Sequence, residues 1–259
     1  MGKSKELAEL GQVVTQSGGN VGIGVEPEDW YPAFDALQIG QSTAIWSQNN
    51  YDKMWLTTNT YLGADGEFKH INNAPVTAYA QFDGTHRWSY ADGGASGSNA
   101  TLSEYMRIDA SGRVTMPYQP SFAAYVDGTG LTAGFTSPTT PVPYQWDHVN
   151  VGGHYNTTTS TFTAPISGTY AMNASASYGN NSVANKWVAI RFVVNGSVYY
   201  SNGYALDSVQ VGPNNNSYGN VALSDIFYLN ANDTVCVQAQ YNTFNGNLSF
   251  GCFSGYLIG

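Results

Sequence analysis

Tyr144-Gln-Trp-Asp-His-Val-Asn150-Val-Gly-Gly-His-Tyr155-Asn-Thr-Thr-Thr-Ser-Thr-Phe162-Thr-Ala-Pro-Ile-Ser-Gly168-Thr-Tyr170 is the stretch that decides the fold. Large apolar and small polar residues recur in it at intervals of six, five, seven, six and two. Around it lie segments rich in β-branched and aromatic residues: Thr161-Phe-Thr-Ala164, Lys186-Trp-Val-Ala-Ile-Arg-Phe-Val-Val194 and Asp225-Ile-Phe-Tyr-Leu229. Such residues suit a pleated, half-buried surface, so each segment reads as a strand. Asn195-Gly196, Asn202-Gly203, Gly179-Asn180 and Asn245-Gly246 punctuate them with residues that accept positive φ in tight hairpins. Many short strands with turns of this kind predict an all-β sandwich or barrel.

The order aromatic, Asn, aromatic, Phe, Gly-x-Tyr in Tyr144, Asn150, Tyr155, Phe162, Gly168 and Tyr170 resembles the signature of the C1q globular head, a tumour-necrosis-factor-like jelly roll. Pro120-Ser-Phe-Ala-Ala-Tyr125 is similar to the first strand of that family, Arg191-Phe-Val-Val-Asn-Gly196 to its central strand and turn, and Phe253-Ser-Gly-Tyr-Leu257 to its closing strand. The chain departs from the family where Met172 and Ala174 replace aromatics and Tyr144 replaces a Phe, all changes that keep the site apolar. The resemblance spans Pro117 to Gly259. It implies a jelly-roll head of residues 118–259 that packs as a homotrimer about a threefold axis and works as a binding module. A surplus of aromatics points the same way: one copy is expected to leave some of Tyr170, Trp187, Phe192, Phe227, Tyr241 and Phe253 uncovered.

Upstream, residues 20–117 alternate short apolar patches with Gly, Asn and Asp. Thr43–Ser47, Met54–Thr58, Val76–Phe82 and His86–Tyr90 read as strands of a β-meander, a shaft or connector. Gly19-Asn-Val-Gly-Ile23 and Met106-Arg-Ile-Asp-Ala-Ser-Gly112, the latter running on to Met116, resemble segments of tail-fibre and other virion appendage proteins of bacteriophages, especially of marine and cyanobacterial hosts. Pro117-Tyr-Gln-Pro120 interrupts strand pairing and marks the boundary. Residues 3–14 place Leu7, Leu10 and Val14 on one side of a short amphipathic helix, with Lys3, Lys5, Glu6 and Glu9 on the other. A helix so short needs a partner, so residues 1–19 are expected to anchor the chain on another virion protein.

Composition removes several function classes. Charged residues make up 10% of the 259-residue chain and aromatic residues 14%, with 29 Gly and 19 Tyr, against roughly 25% charge in ordinary soluble domains. The net charge is −9, and only Lys186 and Arg191 are basic beyond residue 118, which opposes nucleic-acid binding. No apolar run approaches the ~18 residues of a membrane span. The N-terminal residues lack the apolar core and cleavage site of a secretory signal, which predicts synthesis in a cytosol. Met1-Gly2 fails as a myristoylation signal because Glu6 stands where Ser or Thr is needed.

Chemistry-bearing patterns are sparse. His70, His86, His148 and His154 lack zinc spacing, and Gly22-Ile-Gly24 lacks the third glycine and helix of a nucleotide loop. Glu26, Glu28 and Asp29 cluster in a loop-like stretch, and no nucleophile elbow is present. Neither catalysis nor a cofactor is expected. Asp207, Asp225 and Asp233 do not form a calcium loop. Cys236 and Cys252 are expected to be buried thiols, and the sequons at Asn99, Asn156, Asn173, Asn195 and Asn232 are read as polar surface.

The expected function is that of a trimeric phage fibre whose head attaches to a host glycan or protein. Apical turns are the candidate receptor loops, through Tyr178, Asn180, Asn181, Asn215, Tyr218, Tyr241, Phe244 and Asn245. Asn amides donate to and accept from sugar hydroxyls, and aromatic faces cover apolar sugar patches. A capsid-borne decoration without receptor binding and a cellular C1q-like lectin or adhesin are the alternatives.

Overall fold

Val14, expected at the end of a helix, instead opens strand β1 (Val14–Ser17), which turns through Gly18-Gly19 into β2 (Asn20–Ile23). β-branched Val14 and Thr15 next to a Gly-Gly turn favour a hairpin over the last turn of a helix. Leu7 and Leu10, with the rest of the predicted helix, lie outside the described residues. The computed structural model describes residues 14–49, 51–126, 140–179, 186–198, 209–211, 219–241 and 247–259, and every regular element among them is a strand. The chain divides into two compact units, Met1–Pro117 and Tyr118–Gly259.

The first unit continues with β3 (Phe34–Ile39), β4 (Thr43–Gln48), β5 (Lys53–Thr58), β6 (Thr60–Leu62), β7 (Phe68–His70), β8 (Val76–Phe82), β9 (Thr85–Ala91), β10 (Ser103–Ile108) and β11 (Val114–Thr115). Nine of these strands form one sheet in the order β1-β2-β3-β4-β5-β8-β9-β10-β11, while β6 and β7 pair as a separate hairpin. The expected meander holds from β3 onward, but β2 runs parallel to β3. One face is closed by aromatics. Trp30, Ala36, Ala44 and Trp46 are buried there with Phe34, Trp55, Tyr61 and Phe68 packed against them. Trp46 and Trp55 stack with centroids 5.2 Å apart and planes 2° from parallel, and Trp46 Nε1 donates to Thr57 Oγ1 at 3.2 Å. Small alanines at Ala36 and Ala44 leave room for these rings. Met106–Met116 spans the end of β10, a turn and β11, which pair as a hairpin. In the turn Asp109 Oδ1 accepts from the backbone N–H groups of Ser111 and Arg113.

The second unit holds β12 (Ser121–Val126), β13 (Trp146–Val151), β14 (Tyr155–Asn156), β15 (Thr161–Thr163), β16 (Gly168–Gly179), β17 (Lys186–Val194), β18 (Ser197–Val198), β19 (Val209–Val211), β20 (Gly219–Leu229), β21 (Thr234–Tyr241) and β22 (Asn247–Leu257). One sheet runs β13-β12-β22-β16-β20; the other runs β14-β15-β21-β17-β18, with β19 also on β17. Their facing sides enclose one core in which the Phe122 ring lies 4.8 Å from Phe162, 4.8 Å from Phe253 and 4.9 Å from Tyr155. This is the sandwich that the strand pattern predicts, in the jelly-roll form that the resemblance implies. The Asn195-Gly196 turn joins β17 to β18 with φ of 51° and 76°, the left-handed region these two residues tolerate. Gly255 is fixed by a close approach: a Cβ there would meet Met172 Sδ at 2.1 Å and Phe122 Cε1 at 2.9 Å. The Met172 departure from the family's aromatic is thereby accommodated, since its thioether lies across a glycine of the neighbouring strand.

Candidate functional site

The stretch that decides the fold is structural. Tyr144 and Tyr170 are fully buried, and Tyr155 and Phe162 nearly so. The Tyr155 hydroxyl donates to the Tyr144 carbonyl at 2.9 Å, and the Tyr144 hydroxyl donates to the Ser175 carbonyl at 3.0 Å, tying the segment before β13 to strand β16. The Tyr-for-Phe exchange at Tyr144 therefore adds a satisfied hydrogen bond to the core. Asn150 clamps the turn after β13, its Nδ2 donating to the Tyr155 carbonyl at 2.9 Å and its Oδ1 accepting from the Tyr155 N–H at 3.0 Å. Burial raises the Tyr155 hydroxyl well above its ordinary pKa, so it stays protonated as a donor. These groups hold the sandwich and are not presented to a ligand.

The surface they position is the outward face of the β13-β12-β22-β16-β20 sheet. Alternation sends Phe122, Tyr170, Phe227 and Phe253 inward, and Phe192 of the other sheet is buried as well. Of the six aromatics expected to include a surplus, four are covered by a single copy, and the side chains of Trp187 and Tyr241 lie outside the described residues. Among the described residues of this sheet, the exposed aromatics are different ones: Trp146, Tyr228, Phe250 and Tyr256. Composition counted the rings without assigning each to a face.

Register arranges this outward face. Val151, Ser121, Tyr256, Ala171 and Ile226 lie side by side across five strands. Thr169 and Tyr228 form the next row, with the Ile258 N–H on the Thr169 carbonyl. Toward the other end come Ala123, Ser254, Asn173 and Ser224, then Tyr125, Cys252, Ser175 and Ala222. Ser224 Oγ donates to Asn173 Oδ1, and Ser177 Oγ to Asn220 Oδ1. The outward positions of β12, β16, β20 and the described part of β22 carry no charge. An apolar end of Ile226, Tyr228, Tyr256 and Ile258 thus adjoins a band of small side chains. This suits close contact with another protein surface and offers nothing to a charged ligand.

Of the predicted receptor residues, only the backbones of Tyr178 and Tyr241 are described. Asn180, Asn181, Asn215, Tyr218, Phe244 and Asn245 are outside the described residues. The backbones of Tyr178 and Tyr241 belong to strands, Tyr178 opposite Gly219 and Leu248, Tyr241 opposite Val188. Lys186 pairs with Val211. These pairings bring the strand ends flanking segments 180–185, 212–218 and 242–246 to one end of the sandwich. Both cysteines are free, but Cys252 is exposed, contrary to expectation, because it sits on the outward face beside Ser175 Oγ at 3.3 Å. Burial pushes the Cys236 thiol up to about 11. Among the described residues no group of His, Cys, Asp or Glu is placed to hold a metal ion.

The family profile of the C1q domain matches residues 128–258, and the chain belongs to that family. Among solved structures it is similar to the "Globular Domain of Zebrafish Complement 1qA protein", at 16% identity over 54% of this chain and 98% of that one, with a TM-score of 0.41. It is also similar to the "Structure of Eiger TNF from S. frugiperda", at 11% identity over 54% of this chain and 94% of that one, with a TM-score of 0.36. No curated protein matches the chain. Domains of the C1q family typically form homotrimers and are generally non-enzymatic binding modules.

Proposed function

We propose that this member of the C1q domain family is a trimeric fibre of a bacteriophage virion, with its C-terminal head attaching the particle to the host surface. The observation that carries trimer formation is the uncharged outward face of strands β12, β22, β16 and β20, where Ile226, Tyr228 and Tyr256 are each more than half exposed in a single copy. Three copies closing on that face remove it from water and leave few sheet edges free. The strand ends around segments 180–185, 212–218 and 242–246 then offer three equivalent sites, whose individually weak contacts with a glycan or protein gain from multivalency. The likeness of Gly19–Ile23 and Met106–Gly112 to phage fibre segments supports the virion assignment, with attachment to a neighbouring virion protein through residues around Leu7 and Leu10.

Light scattering of the full chain tests the trimer, and adsorption of the purified protein to intact host cells tests the head. Tyr178→Ala, Tyr218→Ala and Phe244→Ala should each weaken adsorption while leaving the trimer intact. Normal adsorption of all three would move the function to a decoration or spacer. The family match equally favours a cellular C1q-like adhesin. Antibody labelling of purified particles separates the two, since a cellular adhesin would leave virions unlabelled.

A further inference from the structure

The first unit has a second apolar surface. Register aligns Val21, Leu37, Ile45, Leu56, Tyr79, Trp88 and Met106 side by side across seven strands, β2 to β5 and β8 to β10. All lie on the face opposite the Trp30–Trp46 cluster. Beside that row run Ile23, Ile39, Thr43, Thr58, Thr77 and Tyr90. Ile39, Ile45 and Leu56 are each more than 40% exposed, and neither row holds a charged residue. A groove of about 390 Å³ opens on this face among Leu56, Thr58, Thr77, Trp88, Tyr90 and Tyr105. An antiparallel sheet with one solvated face alternates apolar inward with polar outward. Here β4 and β5 are apolar on both sides, with Trp46 and Trp55 inward and Ile45 and Leu56 outward, the pattern of a sheet covered twice.

We infer that this face is covered by the same face of the other copies of the chain, so that the first unit is itself an oligomer interface. This rests on the trimeric reading of the head. Three features select copies of the chain as the occupant. The second unit begins at Tyr118, directly after Pro117, so a trimeric head holds three such faces at an effective concentration on the order of millimolar. Two uncharged rows need no partner of complementary charge, and in a chain of net charge −9 they are where copies approach with least repulsion. Its size points the same way. Seven strands about 4.8 Å apart and two residue rows about 6.8 Å apart give a footprint of roughly 450 Å², about half the ~800 Å² per partner of a stable interface formed from free solution, so the face suits copies that the heads already hold together.

The test uses the full chain with Cys236→Ser and Cys252→Ser, carrying a single new thiol at Leu56→Cys or, as reference, at the exposed turn residue Ser111→Cys. Mass is read by light scattering, thiol accessibility by maleimide labelling and proximity by a short bismaleimide. The expected result is a trimer in which Leu56→Cys labels about tenfold or more slowly than Ser111→Cys, because burial blocks access and suppresses the thiolate, and is cross-linked between chains. A trimer in which both positions label at the same rate overturns the inference and leaves the head reading standing. A monomer overturns the head reading, and the inference with it. Protection without interchain cross-links assigns the face to another occupant, a glycan or a different segment, and also overturns it. Thr58→Cys in the adjacent row repeats the measurement if Leu56→Cys fails to fold.

Discussion

Ile226→Asp is the sharpest perturbation of the head. Ile226 lies on the outward face of β20, 61% exposed, in a row with Ala171 and Tyr256. If three copies close on this face, each Ile226 loses roughly 100 Å² of apolar exposure, about 2.5 kcal/mol at ~25 cal/mol per Å². Over three copies that is about 7 kcal/mol, and at ~1.4 kcal/mol per tenfold the trimerisation constant falls by roughly five orders of magnitude. Desolvating three carboxylates adds to the loss. Within one copy the change is mild, since the side chain already meets solvent, and folding stability should change by about 1 kcal/mol or less. Mass photometry and light scattering from nanomolar to micromolar concentration should find trimers for the unaltered chain and folded monomers for the variant. A variant as trimeric as its parent would refute the assignment of this face, and a variant that unfolds would refute the claim that Ile226 plays no part in the fold of a single copy.

Further outcomes follow within a single copy. Tyr144→Phe should keep the fold and lose about 1 kcal/mol in denaturant titration, the worth of a hydroxyl donating to the Ser175 carbonyl, whereas Gly255→Ala should cost about 1–3 kcal/mol or more by driving a methyl into Met172 and Phe122. In the folded chain at neutral pH a thiol reagent should modify Cys252 and spare Cys236, whose burial holds its pKa at about 11; labelling of Cys236 first would show that β21 is not packed as described. Hydrogen bonds from Lys69, from the Arg113 backbone and from Asn195 lower the pKa of Asp65, Asp109 and Asp233 respectively, so their contribution is present above the unfolded value of ~3.9 and is lost as pH falls below it through the folded values. Burial raises Glu28 instead, which reverses the sign: its ionised form opposes folding, and Glu28→Gln should raise the unfolding midpoint at pH 7 and change it little at pH 4.

The head was legible because its signature residues are the core itself. Tyr144, Asn150, Tyr155 and Phe162 are spaced by the lengths of strands and turns that bring them together, and that spacing survives in sequence. The outward face was not legible, because which residues share it depends on register. Tyr256, Ala171 and Ile226 are far apart in the chain and become neighbours only once β22, β16 and β20 are paired. The same holds for Leu37, Ile45, Leu56 and Tyr79. Counting aromatics therefore pointed to Phe192 and Phe253, which are internal, and missed Tyr228 and Phe250, which are not. At the N-terminus a three- and four-residue apolar spacing ending at Val14 suggested a helix, but the spacing said nothing of Gly18-Gly19 folding Val14–Ser17 back onto Asn20–Ile23.

Two uncharged faces on one chain need not be equivalent. If the heads trimerise as proposed, the face of the head meets its copies from free solution and bears the whole entropic cost of association, of order 4–15 kcal/mol. On the proposed assembly, the face of the first unit would meet its copies only after the heads have closed, at an effective concentration that removes most of that cost. Association should therefore be ordered, with the head decisive and the first unit dependent on it. Ile226→Asp should then expose both faces and make Leu56→Cys freely reactive although it lies in the other unit. Ile45→Asp, placed on the face of the first unit, should free Leu56→Cys while the heads remain trimeric. If Ile45→Asp alone dissolves the trimer, the order is reversed and the first unit, not the C1q domain, drives assembly.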